Sequence, residues 1–408
     1  MTCNRRELLL AAAVPTIAAG LPASAKNPDG GDPPIPGPRA RRDFPVASEV
    51  TYLDSAAQHP LGLPVRRALD RHLDTETYGP GEDRSYFSRS DQIALKEEFG
   101  ELIGADGDEI AFVQSTSDGE NLVISGIGLP EAGGNVVVDD LHFTSSLYLY
   151  KMLEEQGVEL RVVRSQGGKV TTDALAAAID ENTRIVSLAL VSNINGFQHD
   201  VAAAAEVAHR HGALLYADII QAAGAVPLDM KGMGIDCAAA STYKWLMADR
   251  GFGLLYVRRD LQQDRVPTTR WGHRHVTSFD RSGDFSWKDR PGGSPYETGN
   301  ISEPLAAMTL GGVRYIQSIG VDNIVEHAQG LIGRLRSELG AAGYRCLTPE
   351  GTRTPILAFH LDDPEKVADR LRAERIWATV ARADRRLRLS VSVFNTDEDV
   401  DRVVSALT

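Results

Sequence analysis

Cysteine is scarce in this chain: Cys3, Cys237 and Cys346 are the only three in 408 residues, and their spacing matches no metal-ligand pattern. Neither a disulfide framework nor a zinc site organises the protein. Basic residues are in deficit too, 43 Lys and Arg against 56 Asp and Glu for a net charge of −13, whereas phosphate-backbone recognition needs the opposite balance. Nucleic acid is therefore excluded as a partner, and small molecules are the expected ligands. The apolar stretch over 8–19 falls short of the ~20 residues that a helix needs to cross a hydrocarbon core, so no membrane span is expected in the mature form. No Gly-x-Gly-x-x-Gly follows the first strand candidate, no Walker lysine is present and no fixed period repeats, which removes dinucleotide-binding, P-loop and solenoid architectures. What remains, at 42% hydrophobic residues, is an ordinary globular composition long enough for two domains.

The N-terminus reads as an export signal. Asn4-Arg5-Arg6-Glu7 sets paired arginines directly before the apolar stretch, and Leu21-Pro22-Ala23-Ser24-Ala25 supplies a small-x-small cleavage site. An arginine pair suits either the twin-arginine route or the charged n-region of a general secretory signal. Cleavage near Ala25 leaves a proline- and glycine-rich stretch, and 26–45 is expected to be a flexible leader.

Beyond it, short aliphatic runs alternate with helical patterns, the signature of parallel βαβ units. Strands are predicted over 110–113, 136–139, 160–163, 185–191, 214–218, 237–242 and 253–257, with helices over 119–128, 144–155, 172–179 and 201–211 between them. The pattern changes after about Pro304 to helices over 305–319 and 321–339, a strand over 355–360, a helix over 365–373, a strand over 387–393 and a last helix over 397–407. The resulting organisation is an N-terminal segment (46–75) packing with the small domain, a large α/β domain (76–304) and a smaller α+β domain (305–408).

The chemistry concentrates at strand ends. Ser241-Thr242-Tyr243-Lys244-Trp245 closes a strand of small residues, and Leu214-Leu215-Tyr216-Ala217-Asp218 ends an apolar strand in a carboxylate, with Gln221 following. Either feature alone is ordinary, a solvated lysine or a helix N-cap. Together they occupy the carboxyl ends of parallel strands, where open α/β sheets hold ligands. A lysine amine and an acidic partner are what pyridoxal 5′-phosphate (PLP) requires, the first for its aldehyde and the second for its pyridine nitrogen. A third element, Ser115-Thr116-Ser117-Asp118-Gly119-Glu120-Asn121, lies between a strand and an apolar helix. Ser117 or Asp118 would cap a helix from Gly119 onward, and the same helix end can hold a phosphate. Ser241 and Tyr243 offer hydroxyl donors to it.

These motifs resemble the class V aminotransferases, fold-type I PLP enzymes that include cysteine desulfurases, kynureninase and isopenicillin N epimerase-like proteins; the likeness runs from about Tyr52 to Leu407. The resemblance implies a large domain with a mainly parallel seven-stranded sheet, a smaller α+β domain and a homodimer. It implies Lys244 and Asp218 as the catalytic pair, Thr116, Ser117, Ser241 and Tyr243 at the phosphate, and Gln221 on the ring hydroxyl. Asn193, in Ser192-Asn193-Ile194-Asn195-Gly196, would lie by the hydroxyl and the substrate, and Phe143, or with a one-residue slip His142, would stack on the ring. Arg388, in Leu387-Arg388-Leu389-Ser390, would be the fork for a substrate carboxylate, although Arg382, Arg385 and Arg386 crowd the same stretch. Gly299-Asn300-Ile301 replaces the family's Gly-Thr-Pro, which leaves Asn300 to reach a neighbouring subunit's phosphate. Cysteine desulfurases carry a reactive cysteine before the Arg-x-Ser strand; no cysteine stands between Ile376 and Arg388 here, so desulfurase activity is not expected. His59 and the loop Arg270-Trp271-Gly272-His273-Arg274-His275 are the expected determinants of substrate choice.

A cofactor loaded in the cytoplasm must cross the membrane inside a folded chain, which favours the twin-arginine machinery as the export partner. The expectation is a periplasmic enzyme acting on a small-molecule or peptidic amine, such as an amino-acid residue of a siderophore peptide, by transamination or related Cα chemistry. The alternatives are a lyase or epimerase acting on a free amino acid, and a non-catalytic binding protein, which should have lost at least one of Lys244, Asp218, Gln221 and Arg388.

Overall fold

Strands that read as continuous apolar runs belong to a sheet covered on both faces, and the strands over 110–113, 135–139, 214–218, 237–241 and 253–257 are buried at every residue. A computed structural model describes residues 35–79 and 87–408. The signal expected over 1–25 and the start of the leader lie outside the described residues.

The chain enters through two single-turn helices, α1 (Pro38–Arg41) and α2 (Val46–Glu49), and strand β1 (Thr51–Tyr52). Residues 35–45 are thus packed, in contrast to the flexible leader expected there. Arg41 pairs with the buried Asp399 at 2.7 Å, the Gly37 N–H donates to the Val393 carbonyl at 2.6 Å, and Phe44 is buried beside His59, Tyr315 and Phe394. Composition suggested a linker because the partner of Arg41 stands 358 positions further along the chain.

Helices α3 (Leu63–Tyr78) and α4 (Arg89–Ile103) precede the sheet. Then come β2 (Ile110–Val113), α5 (Thr116–Gly126), β3 (Asn135–Asp139), α6 (Thr144–Glu155), β4 (Glu159–Val163), α7 (Thr172–Ala176), β5 (Thr183–Ala189), α8 (Val201–Arg210), β6 (Leu214–Asp218), β7 (Cys237–Ser241) and β8 (Gly253–Val257). The strand order is β2-β8-β7-β6-β5-β3-β4, parallel except that β8 runs antiparallel to both its neighbours. This is the seven-stranded, mainly parallel sheet expected of fold type I.

Two details of packing position the site. Alanines 238–240 of β7 let a helix approach closely, and a Cβ built at Gly119 would stand 2.8 Å from the Ala239 Cβ, so glycine lets α5 lie against β7. Helix α5 also starts at Thr116 rather than at 119, because Ser115, not Ser117 or Asp118, is its cap: the Ser115 hydroxyl accepts the Asp118 N–H at 3.1 Å.

An exposed hairpin, β9 (Val276–Phe279) with β10 (Trp287–Asp289), leads into α9 (Glu303–Ile319) and α10 (Val321–Ala341). Helix α9, expected from sequence to open the small domain, shares a core with Trp245 and Leu246 through Ala306, Met308, Leu310, Val313 and Ile316. The smaller unit consists of β11 (Ile356–His360), α11 (Pro364–Ala373), β12 (Ile376–Trp377), β13 (Thr379–Ala381), β14 (Arg386–Ser390) and α12 (Asp397–Leu407), with β14 between β11 and β13 in an antiparallel sheet. Leu335, Leu357, Phe359, Leu387, Leu389 and Val403 fill its core. Strand β1 pairs in parallel with β12, and Asp54 bridges to Ser390, so the N-terminal segment closes on this domain and carries Asp54 toward Arg388. Among the described residues no helix is long and apolar enough to cross a membrane.

Candidate active site

Strand β7 ends at Ser241, and the next residues are held in a tight loop. Thr242 donates its hydroxyl to the carbonyls of Asp249 and Phe252, its N–H reaches the Phe252 carbonyl at 3.1 Å, and the Ala248 N–H returns to Thr242 at 3.0 Å. That loop fixes Lys244 inside the protein, 5% exposed. Its Nζ hydrogen-bonds to none of the described residues and faces the rings of Phe143 at 5.7 Å and Tyr243 at 5.6 Å. Burial pulls its pKa down to about 8; the charge of Asp218 opposes that fall and that of Arg388 adds to it.

Asp218 ends β6, the strand beside β7, and is 3% exposed. Its Oδ1 accepts the Ile220 N–H at 2.9 Å, while Oδ2 has no hydrogen bond to any described residue. Burial raises its pKa to about 6, against the pull of that N–H and of Lys244. An amine and a carboxylate oxygen on two buried residues, neither hydrogen-bonded to a described residue, leave polar groups with which a ligand can pair.

Beside them lies the first turn of α5. Thr116 and Ser241 are reciprocally locked: each N–H donates to the other's hydroxyl oxygen at 2.9 Å, and the two hydroxyls are 3.1 Å apart. One hydroxyl proton serves that mutual bond, so the other remains for an anion. The Ser117 hydroxyl meets that of Ser145 at 3.1 Å, and its N–H, at the second helical position, has no carbonyl one turn back. Arg270 neutralises the adjacent Asp118 at 2.7 Å. An amine for an aldehyde, a carboxylate for a pyridine nitrogen and a helix end with free hydroxyls for a phosphate form the donor set that PLP requires.

Arg388, 7% exposed, projects from β14. Its Nη1 donates to the Asn193 carbonyl at 2.9 Å and its Nη2 to the Thr379 hydroxyl at 3.0 Å, with Asp54 3.6 Å away; Nε is buried without a partner. The neighbouring arginines are engaged elsewhere, Arg382 with Glu365, Arg385 with the Asp362 carbonyl and Arg386 with Asp384. Only Arg388 of the four both lies within reach of the Lys244 charge and is held by backbone and side chain at once.

Several expectations are corrected by these contacts. His142 is 1% exposed and turned toward Ser187 at 3.0 Å, whereas Phe143 is 39% exposed and its ring faces Lys244, so of the two it is Phe143 that the site presents. Gln221 is taken up by the protein, donating to the Ala56 carbonyl and accepting the Trp245 indole N–H, each at 2.9 Å. It braces the lysine loop and keeps one amide N–H beyond these two bonds. His59 is 1% exposed between Ser392 at 2.7 Å and the Pro60 carbonyl at 2.8 Å, and burial lowers its pKa to about 4, so it cannot meet a substrate. Arg274 is likewise bound, to Glu297 at 2.7 Å and to Gln92 at 2.9 Å. Asn193 is half-buried and joins Arg388 through its backbone, and Asn300 is exposed on its own chain. Sequence reading missed Thr379 and Asp54, which contact Arg388, because nothing local connects Asp54 to a residue 334 positions later.

The chain matches the family described as Aminotransferase class-V over residues 51–403. A probable cysteine desulfurase of Methanothermobacter thermautotrophicus is 30% identical over 338 residues, covering 80% of this chain and 82% of that protein. A cysteine desulfurase of Klebsiella pneumoniae is 28% identical over 400 residues, covering 90% and 97%. Among solved structures, the apo cysteine desulfurase of Thermococcus onnurineus has a TM-score of 0.80 at 23% identity, covering 90% of this chain and 96% of that one. A variant of C-DES with glycine covalently linked to its PLP cofactor has a TM-score of 0.79 at 20% identity, covering 90% and 98%. At that identity the last two establish a shared fold.

Proposed function

Because the chain belongs to the class V aminotransferase family and is a PLP-dependent enzyme, we propose that it acts on the amino group of an amino acid, or of an amino-acid residue in a secreted metabolite such as a siderophore peptide, by transamination or related chemistry at Cα. The observation that carries this reading is the meeting of Lys244, Asp218 and Arg388 in one buried site. PLP, when bound, supplies an electron sink for charge developing at the substrate Cα. Lys244 would hold the cofactor by its amine and would be the group that moves a proton at the substrate Cα, a task suited to its lowered basicity. Asp218 would keep a proton on the pyridine nitrogen, Phe143 would pack on the ring, and Thr116, Ser117 and Ser241 would hold the phosphate. Arg388 orients the substrate carboxylate with the N–H groups that Asn193 and Thr379 leave available.

The two relatives described above are named a probable cysteine desulfurase and a cysteine desulfurase, and the proposal parts from that activity on the placement of thiols. The segment between β13 and β14 is a four-residue turn, 382–385, without cysteine. Cys237 is buried within β7, and Cys346 accepts an Arg336 N–H at 3.1 Å in the small domain. Product mass spectrometry with candidate amines, peptidic ones included, tests the reading. Sustained release of sulfur and alanine from free cysteine would overturn it. A homodimer is the proposed working unit, since the exposed Asn300 then has a partner's phosphate to reach.

Arg388→Lys should raise KM for carboxylate-bearing substrates by roughly 10- to 100-fold, because a point charge cannot reproduce a planar fork. Amines lacking the carboxylate should be affected far less. Equal losses for both substrate types would remove Arg388 from this role.

The proposal includes twin-arginine export to the periplasm. Arg5→Lys with Arg6→Lys keeps both charge and apolarity, so a general secretory signal would tolerate it. The double variant should instead accumulate in the cytoplasm at full length with cofactor bound. Normal periplasmic levels of processed protein would refute the route.

A further inference from the structure

Beneath the ring-stacking position lies a buried carboxyl group with no part in the chemistry so far. Glu120 is 1% exposed on α5, one turn beyond Thr116, and no lysine or arginine among the described residues pairs with it. Three hydroxyl groups donate to it instead: Ser146 to Oε2 at 2.6 Å, and Tyr150 and Ser187 to Oε1 at 2.8 and 3.0 Å. Ser146 and Tyr150 stand one turn apart on α6, and Ser187 is on β5. The remaining titratable groups facing it are His142, 4.0 Å away, and Asp218 and Tyr216 on β6.

The donors and acceptors in this cluster leave a single consistent arrangement. Ser187 has one hydroxyl proton, and it points at Glu120. Its oxygen therefore accepts from His142, whose Nε2 is 3.0 Å away, so the imidazole is protonated on Nε2. Nδ1 is left as an acceptor, and the Phe143 N–H donates to it at 2.8 Å. The same tautomer is demanded from the other end, because an amide N–H can only donate. Burial pulls the His142 pKa down to about 4, which keeps the ring neutral. The relay thus runs from Glu120 through Ser187 and His142 to the backbone of the residue whose ring faces Lys244.

We propose that Glu120 is a positioning residue for the cofactor: through Ser187 and the Nε2–H tautomer of His142 it fixes the Phe143 ring over the cofactor site. The proposal rests on the PLP reading, and its test separates the two. Purified holoenzymes of the parent, Ser187→Ala, Ser187→Thr, Glu120→Gln and Phe143→Ala are compared by visible circular dichroism of the bound cofactor, by PLP dissociation constant and by thermal midpoint. Ser187→Ala removes the relay while leaving the Ser146 and Tyr150 bonds to Glu120 in place. It should weaken PLP binding roughly three- to tenfold, the loss expected for one buried hydrogen-bond link, and change the visible dichroism in the direction seen for Phe143→Ala. Ser187→Thr, which keeps the hydroxyl, should restore both. Combining Glu120→Gln with Phe143→Ala should add little to Phe143→Ala alone.

A lower thermal midpoint in Ser187→Ala or Glu120→Gln with unchanged dichroism and PLP affinity overturns the proposal and leaves the cluster as a brace between α5 and α6. Full additivity of the double variant overturns it too. Absence of any PLP signal in the parent would instead defeat the cofactor reading itself.

Discussion

In Lys244→Ala, borohydride should fix no cofactor to the chain, whereas the parent should be yellow as purified and yield a reduced adduct on the peptide containing Lys244. Turnover should fall by on the order of 10⁴-fold, since attachment and proton transfer at Cα are lost together. The variant should still fold. Burial of Lys244 makes its charged form costly, as the fall of its pKa to about 8 records, so the lost stem packing is offset by relief of that cost, and the apo thermal midpoint should stay within a few degrees of the apo parent. The same depression sets a pH dependence. The neutral, nucleophilic fraction of Lys244 grows as pH rises through about 8, so apoprotein should take up PLP progressively faster between about pH 7 and 9. A rate that climbs only above pH 10 would mean an unperturbed amine, and an adduct on Lys151, Lys169, Lys231 or Lys288 would place the attachment elsewhere.

Asp218→Asn should retain PLP yet lose about 10²- to 10³-fold in turnover of any amine the parent accepts. The amide has nearly the carboxylate's shape and can still accept the Ile220 N–H, so folding is not at issue. What disappears is a negative charge held in a closed site, where a fixed partner acts more strongly than in water. The visible spectrum should shift as the ring nitrogen loses its proton. Turnover within about threefold of the parent would count against the role.

Parts of this site were legible because the signal is local. An apolar run that stops at Asp218, and a run of alanines that stops at Ser241 with Lys244 just beyond, announce strand ends from a few consecutive residues. The alternation of strands and helices placed both ends on the ligand side of the sheet. The helix cap was legible in kind but not in register, because Ser115, Ser117 and Asp118 are all competent caps and only the contact of α5 with β7 chose among them.

By itself, then, the sequence determined the class of fold and the strand ends at which Asp218 and Lys244 stand, since both depend on periodicity and on chain order. Which polar groups remain free for chemistry was decided by tertiary structure alone. His59 is closed off by Ser392, 333 positions away, and Gln221 is held by Ala56, 165 positions away; Arg388 is singled out from three neighbouring arginines by a carbonyl 195 positions away. A side chain's hydrogen-bonding capacity is written in its chemistry, but whether that capacity is already satisfied depends on partners that only the folded chain brings within 3 Å or so.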